Sequence, residues 1–197
     1  MTTTSAFVLG NGRSRLTLGI SLDELKTYGP IYACNAIHRE FKPDVLIATD
    51  KKMCQEIEAT GYPMTHEFWT RRPAPEKGGR RLEKPYYGMS SGPAAASRAA
   101  LRGFNNIYLI GFDFGSPNQF VNNIYAGTEH YKGLQDKATY YGNWENQMKQ
   151  VIEKHPKSQF YRIMGAESTA LDFGNVNIIH QDLDVFVNQT LPSIKPR

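Results

Sequence analysis

A glycine turn follows the first apolar run of the chain, and its residue types are those that bind an anion. In AFVLGNGRSR, the run leads into Gly10, Asn11 and Gly12, and Arg13 follows. Glycines let a backbone approach a ligand and present N–H donors, and the asparagine adds an amide. The turn is not a complete G-x-G-x-x-G motif, because Arg15 occupies the last position, and it is not a Walker A loop. It predicts a phosphate or ribose contact, with ordinary turn chemistry as the alternative.

A second candidate anion site precedes an alanine-rich stretch. In SSGPAAASRAA, Ser90, Ser91 and Gly92 stand where a helix should begin. The first N–H groups of a helix have no partner within it and lie at the positive end of its dipole, so they favour an anion. A serine is also a common N-cap that requires no ligand. Both interpretations stay open at this point.

Short apolar runs and helical patterns alternate, and they predict the elements that position these turns. The predicted strands are residues 5–10, 30–35, 44–49, 106–112, 158–163 and 175–179, and the predicted helices are 21–25, 50–61, 92–103 and 140–156. Because the strands are continuously apolar rather than alternating, they fit a parallel sheet covered on both faces. The sequence predicts one α/β domain over 1–197, Rossmann-like and doubly wound around a mainly parallel sheet, with a small lid-like segment at 113–140.

Small or polar residues directly follow the predicted strands. Asn35 follows the second strand, Asp50 the third and Asp113 the fourth. In an open parallel sheet, ligands bind outside the carboxyl ends of the strands. We therefore expect these three residues to meet the glycine turn and the helix start at one edge of the sheet.

Positive charge is concentrated in a basic segment, RRPAPEKGGRRLEKP (71–85). It has six basic and two acidic residues, so its net charge equals the +4 of the whole chain. Its prolines and adjacent glycines argue against a regular element. The segment predicts either a solvated loop or a flap that closes over an anionic ligand. Nucleic acid is not favoured as a partner, because no stacking pattern or known nucleic-acid motif accompanies the charge.

Composition narrows the class of protein. The chain has 197 residues, of which 40% are hydrophobic, enough to bury one sizeable core. The sequence has no leader pattern and no apolar run long enough to span a bilayer, so we expect a soluble, cytoplasmic protein. Cys34 and Cys54 lack zinc-ligand and CxxC spacing and are expected to be reduced thiols. Asp182 and Asp184 form a literal D-x-D but follow the last predicted strand, and no metal site is predicted.

An aromatic cluster opens the last predicted helix. Tyr140, Tyr141 and Trp144 have helical spacing. This spacing favours packing in the core or at an interface over stacking on a sugar. Self-association into a homo-oligomer is left open.

Four segments resemble the successive motifs of bacterial lipooligosaccharide sialyltransferases. They are VLGNGRSR, YACNAI, MSSGPAAASRAALRGFNNIYLIGFDF and TEHYKG. The resemblance covers residues 6–163, is most specific at 90–114, and extends to a superfamily that includes pterin diphosphokinase-like domains. It implies a Rossmann-like domain with a lid that binds a cytidine monophosphate (CMP) sugar without a metal or other cofactor. The sugar would pass, with inversion, to a hydroxyl of a glycan or another acceptor.

The resemblance also implies roles for individual residues. The implied contacts to the nucleotide donor are Asn11, Asn35, Ser91, Gly92 and Asp113, and the residue types of the glycine turn and the helix start add Gly10, Gly12, Arg13 and Ser90 to the predicted site. Tyr125 corresponds to a tyrosine whose hydroxyl steadies the leaving phosphate, and His130 corresponds to the general base. Histidine titrates near neutral pH and can accept the proton of an acceptor hydroxyl. Hydroxyl and N–H donors can stabilise the charge on a departing phosphate in place of a metal.

The chain departs from the family pattern in its turn and after its fourth predicted strand. Arg13 and Arg15 replace the proline and leucine of the turn, and Gly115 stands where the family has a phosphate-binding tyrosine. Two other functions therefore stay open. One is magnesium-dependent diphosphoryl transfer to a pterin-like alcohol, with Asp50 and Asp113 as the candidate ligands. The other is nucleotide binding without catalysis.

Overall fold

An eight-stranded parallel sheet forms the centre of the molecule in the computed structural model, which describes residues 4–174 and 177–197. The strands are β1 (Ser5–Leu9), β2 (Ile31–Cys34), β3 (Val45–Ile47), β4 (Phe68–Thr70), β5 (Arg80–Arg81), β6 (Asn106–Ile110), β7 (Gln159–Met164) and β8 (Ile178–Asp182). Their order is β5-β4-β3-β2-β1-β6-β7-β8, and every neighbouring pair is parallel.

Helices connect the strands and cover the sheet. They are α1 (Leu22–Tyr28), α2 (Lys51–Ala59), α3 (Tyr62–Thr65), α4 (Ser91–Leu101), α5 (Gly142–Lys154), α6 (Leu183–Val185) and α7 (Leu191–Ser193). Four 3-10 turns span Arg13–Thr17, Asn35–Arg39, Pro75–Lys77 and Tyr86–Gly88, and a π-helical turn spans Phe186–Thr190. Among the described residues, the structure contains no helix of the length and apolar character needed to cross a membrane.

Both faces of the sheet are buried, as the unbroken apolar strands predict. In β1, Ala6 and Val8 join the core that contains α4 and α5. Phe7 and Leu9 point to the opposite face and join the core that contains Leu25 of α1. Because successive side chains of a strand alternate in direction, a strand buried on both sides must be apolar throughout. The predicted α/β class, with a doubly wound parallel sheet, is confirmed.

Two of the predicted helices, 21–25 and 50–61, begin with a side-chain cap. The Ser21 hydroxyl accepts a hydrogen bond from the Glu24 N–H (3.0 Å). Asp50 Oδ1 accepts from the N–H groups of Lys52 (3.0 Å) and Met53 (3.3 Å). Each cap satisfies N–H groups that have no partner within the helix.

The basic segment departs from the prediction that it lacks regular structure. β5 pairs with β4, aligning Arg80 with Trp69, and Leu82 and Tyr86 are buried. β4 and β5 have three and two residues, too short to show a period in the sequence. The segment is thus anchored to the sheet edge by apolar side chains. Of the predicted strand 175–179, residues 175 and 176 lie outside the described part of the chain, and β8 begins at Ile178.

Candidate functional site

A cleft opens at the carboxyl ends of β1 and β6, where the strand order reverses direction. Ligands of doubly wound folds bind at such a switch point. The inner part of the cleft is lined by Gly10, Asn11, Gly12, Cys34, Asn35, Ser90–Pro93, Gly111–Phe114, Asn122, Asn123, Tyr141 and Trp144. The predicted convergence of the residues that follow the strands therefore occurs here, and the outer part of the cleft adds Asp50 and His130.

The glycines of the turn are required by the close approach of two backbone segments. A Cβ on Gly10 would lie 2.5 Å from the carbonyl oxygen of Gly111. The Gly10 N–H donates to the Ile110 carbonyl (2.8 Å), and the Gly12 N–H donates to the Gly111 carbonyl (2.9 Å). These two amides bond to the end of β6 and not to a ligand. The turn instead brings Asn11 to the cleft, and the Asn11 carbonyl accepts from Ile124 N–H (2.9 Å).

Asp113 is the buried anchor beneath the turn. Its Oδ2 accepts hydrogen bonds from the Ser14 N–H and Asn122 Nδ2, both at 3.1 Å, and its Oδ1 accepts from the Ser168 hydroxyl (2.8 Å). Asp113 is only 3% exposed. With both carboxylate oxygens used in this way, Asp113 joins the turn, the lid-like segment and the loop after β7. These hydrogen bonds hold the three segments together, and they compete with the metal ligation considered for this carboxylate.

A buried arginine supports the backbone on which Asp113 stands. Arg162 of β7 donates to the carbonyls of Phe112 (2.8 Å), Asp113 (2.7 Å) and Thr169 (2.9 Å). Its burial lowers the pKa of the guanidinium to about 10, while the Asp113 carboxylate opposes that shift. The cation remains charged at neutral pH and fixes the chain at the floor of the cleft.

Asn35 and Ser91 are joined by a hydrogen bond across the cleft wall. The Ser91 hydroxyl donates to Asn35 Oδ1 (2.8 Å) and accepts from the Thr49 N–H (3.0 Å). Asn35 has a left-handed backbone (φ 61°), which asparagine tolerates better than most residues. No protein acceptor for Asn35 Nδ2 is present within the described ranges. The side-chain amide is therefore oriented through its oxygen, and its nitrogen is left for a ligand.

The start of α4 forms the other wall. The Ser90 N–H donates to Gln147 Oε1 of α5 (2.7 Å), so Ser90 is held by α5. The first bond within the helix runs from the Ala94 N–H to the Ser90 carbonyl (3.0 Å), and Pro93 has no N–H. The N–H groups of Ser91 and Gly92 precede that bond, at the positive end of an eleven-residue helix. The arrangement can bind a phosphate.

His130 lies in the outer part of the cleft, in contact with a carboxylate. Its Nε2 is 3.3 Å from Oε2 of Glu56 in α2. Arg39 binds the same carboxylate through Nε (2.7 Å) and Nη2 (2.6 Å), and its Nη1 donates to the Thr128 hydroxyl (2.9 Å). The Arg39 hydrogen bonds hold the pKa of Glu56 below its usual value. This network fixes the position of the His130 loop against α2.

Two residues of the predicted site, Tyr125 and Arg13, are not among the residues that line the cleft. The Tyr125 hydroxyl is buried, donates to Glu40 Oε1 (2.6 Å) and accepts from Arg15 Nη2 (3.0 Å). Its burial raises the pKa of Tyr125. Arg15 also donates to the Gly10 carbonyl (3.1 Å), so Tyr125 supports the turn from behind. Arg13 lines a neighbouring pocket, and its N–H donates to Asn122 Oδ1 (2.8 Å).

A solved glycosyltransferase structure has a similar fold. It is the structure of the MAf glycosyltransferase from Magnetospirillum magneticum AMB-1, which superposes with a TM-score of 0.60 at 13% sequence identity. The match covers 100% of this chain and 35% of that chain, so this chain spans about a third of its length. At this identity the likeness shows a shared fold. Neither a protein-family model nor a curated protein matches the sequence.

Several lining residues are absent from the site predicted from the sequence, among them Asn122, Asn123, Tyr141 and Trp144. Asn122 and Asn123 lie in an irregular segment whose pattern contains no strand or helix period. Tyr141 and Trp144 were expected to pack in the core or at an interface, but both line the cleft. Tyr141 lies just before α5, and Trp144 lies in its first turn. Because the start of α5 faces the start of α4, this position could have indicated that both residues line the cleft.

A group of potential metal ligands lies at His130, in the outer part of the cleft. Among the described residues, Glu56, Glu129 and His130 form a group of three ligand atoms within 4.8 Å of one another. Arg39 already binds both oxygens of Glu56, which disfavours a cation there. Cys34 lines the inner cleft as a free thiol, and burial raises its pKa to about 12, so it stays neutral.

Proposed function

We propose that the chain binds a nucleotide-activated sugar in the switch-point cleft and transfers the sugar to a hydroxyl acceptor. The observation that carries the proposal is the continuity of one cleft, from the free amides of Ser91 and Gly92 to the imidazole of His130. A phosphate-binding wall and a proton acceptor are the two parts that such a reaction needs. The fold shared with a glycosyltransferase supports the general class.

The donor phosphate is assigned to the start of α4. Ser91 and Gly92 donate their N–H groups to it, and Asn11 and Asn35 contact phosphate or ribose oxygens through their amides. Asp113 enters the proposal as a positioning residue, because its carboxylate is held by protein donors. The resemblance of the motifs to CMP-dependent sialyltransferases favours a CMP-activated donor.

His130 is assigned as the general base. When Nε2–H faces Glu56, the tautomer is fixed and Nδ1 is left to accept a proton. The acceptor oxygen bonds to the anomeric carbon while its proton passes to Nδ1. The bond from that carbon to the phosphate oxygen breaks, and the electron pair leaves with the nucleoside monophosphate. The N–H groups of α4 then stabilise the phosphate charge, and Tyr125 acts only by supporting Arg15 behind the turn.

The test is a donor hydrolysis and transfer assay with CMP-sugars. His130→Asn removes the base, and asparagine tolerates the left-handed backbone at this position (φ 71°). Loss of a general base is expected to lower turnover by about 10² to 10⁴-fold. Donor affinity should stay within about twofold, because the phosphate wall is intact. His66→Asn is the matched control, since His66 stacks on Tyr62 away from the cleft.

Other results would favour a different function or contradict the role of His130. Binding of adenosine triphosphate only with magnesium would favour diphosphoryl transfer. Tight CMP binding with no hydrolysis or transfer of any CMP-sugar would favour a binding module. Full turnover by His130→Asn would contradict the assignment of the base.

A further inference from the structure

Two buried polar atoms in the cleft have no hydrogen-bond partner among the described residues. Five buried side-chain nitrogen or oxygen atoms of the described residues make no hydrogen bond, and Arg71 Nε and Tyr141 Oη are the two whose side chains line the cleft. Buried polar atoms without a partner are uncommon, because desolvating them costs free energy. A ligand with a complementary polar atom can satisfy such an atom in a cleft.

The Tyr141 hydroxyl keeps its proton and can donate it to a ligand. The nearby Ser116 hydroxyl donates instead to Asn118 Oδ1 (2.7 Å). Burial raises the pKa of Tyr141, so the phenol keeps its proton at neutral pH. Tyr141 lines the inner and the outer part of the cleft. Its hydroxyl can therefore reach a ligand that spans the two.

Trp144 places an aromatic face beside that hydroxyl. The ring centroids of Tyr141 and Trp144 are 5.8 Å apart at an interplanar angle of 59°, so a flat ligand ring can stack on one of them but not on both. Gln147, three residues after Trp144, holds the Ser90 N–H (2.7 Å), which sets this face of α5 against the start of α4. The phosphate wall and the aromatic face thus belong to one cleft.

We propose that Tyr141 and Trp144 bind the base of the nucleotide, with the base stacked on Trp144 and a ring heteroatom or carbonyl accepting a hydrogen bond from Tyr141 Oη. This inference rests on the proposed function, because it assumes a nucleotide whose phosphate lies at Ser91 and Gly92. It assigns base recognition to α5, on the opposite wall from Asn11 and Asn35. Stacking on an aromatic side chain is a common source of affinity for a base, because every base has a π face.

The experiment compares two ligands that differ only in the base part: CMP and ribose 5-phosphate. Tryptophan emission is the readout, because Trp144 is one of two tryptophans in the chain. The other, Trp69, lies outside the cleft, and Arg98 Cζ is 3.7 Å from its ring centroid. CMP should quench the emission of the unmodified protein. Trp144→Leu should abolish the quench and lower the affinity for CMP about tenfold. Tyr141→Phe should weaken CMP about fivefold.

The controls separate base recognition from phosphate binding. Tyr140→Phe changes the neighbouring tyrosine, which is 76% exposed, and should leave CMP affinity unchanged. Ribose 5-phosphate should bind equally to the unmodified protein and to both cleft variants. CMP binding without quenching, and with full affinity in Trp144→Leu, would overturn this inference and leave the proposed function standing. Absence of CMP binding to the unmodified protein in calorimetry would overturn both.

Discussion

At the scale of single residues, the close neighbours of Gly115 explain why glycine stands where the resembled sialyltransferases have a tyrosine. A Cβ at this position would lie 2.1 Å from Thr169 Cγ2. The Thr169 hydroxyl is meanwhile held by the Asp113 carbonyl (2.8 Å). A tyrosine in place of Gly115 has no room beside Thr169, so this position does not supply the phosphate contact that the resemblance would place here, and our proposal assigns the phosphate to the start of α4. The amides of α4 are the available donors.

The close contact at Gly115 gives a prediction about stability. Gly115→Ala should lower the free energy of unfolding by about 1–3 kcal/mol through overpacking. Thr169→Ser removes the methyl group that would collide and keeps the hydroxyl, so the double variant should recover most of the loss. Denaturant unfolding of the two single variants and the double variant forms the cycle. A loss in Gly115→Ala that Thr169→Ser fails to reduce would contradict the steric explanation.

At the scale of elements, the basic segment contributes one side chain to the cleft. Arg71 lines the outer part, and its Nη2 donates to the carbonyls of Met89 (2.8 Å) and Gly88 (3.2 Å), just before α4. Arg80 lies instead over Trp69, with its Cζ 5.8 Å from the ring centroid, and 3.6 Å from Glu67. Within the basic segment, the hypothesis of a flap that contacts an anionic ligand therefore applies to Arg71.

The corresponding prediction separates Arg71 from its neighbours. Arg71→Ser should lower the affinity for CMP about tenfold at low salt, because it removes a charged hydrogen-bond donor from the cleft. Added salt should weaken CMP binding to the unmodified protein more than CMP binding to the variant, because salt screens the charge interaction that only Arg71 supplies. Arg72→Ser, at an exposed position, is the matched control and should bind CMP normally. Equal affinities of Arg71→Ser and the unmodified protein at every salt concentration would contradict this role.

The sequence predicts elements better than contacts. The unbroken apolar character of β1 is a local feature of the sequence, and it was sufficient to predict a strand buried on both faces. Which atoms of the turn face a ligand depends on β6, which is distant in sequence. The glycine amides are taken by Ile110 and Gly111, and no local pattern encodes that pairing. The same holds for Tyr125, whose partners lie far away in the chain.

At the scale of the whole molecule, stability should depend on pH through His155. This residue follows α5, stacks on Tyr86 and shares a hydrogen bond with the Tyr86 hydroxyl (2.7 Å). Burial lowers the pKa of His155 below its ordinary value of 6.5. The unfolded chain therefore binds the proton first, so the stabilising contribution is complete above pH 6.5 and is lost as the pH falls through the folded pKa.

The pH prediction is tested with one substitution. The free energy of unfolding should decrease as the pH is lowered from about 7 to 5. His155→Gln removes the titrating group, so its curve should be flatter over that range. The measurement is denaturant unfolding at a series of pH values. Identical slopes for the two proteins would show that His155 does not carry the effect.

The most direct measurement of the central claim is calorimetric binding of CMP, with and without magnesium, to the unmodified protein and to Asn35→Gly. Glycine keeps the left-handed backbone of this position and removes only the amide. Our account predicts that CMP binds without magnesium in preference to adenosine, guanosine and uridine monophosphates, and that Asn35→Gly weakens it about tenfold. Full affinity in Asn35→Gly, or binding only with magnesium, would contradict a metal-independent nucleotide site at the switch point.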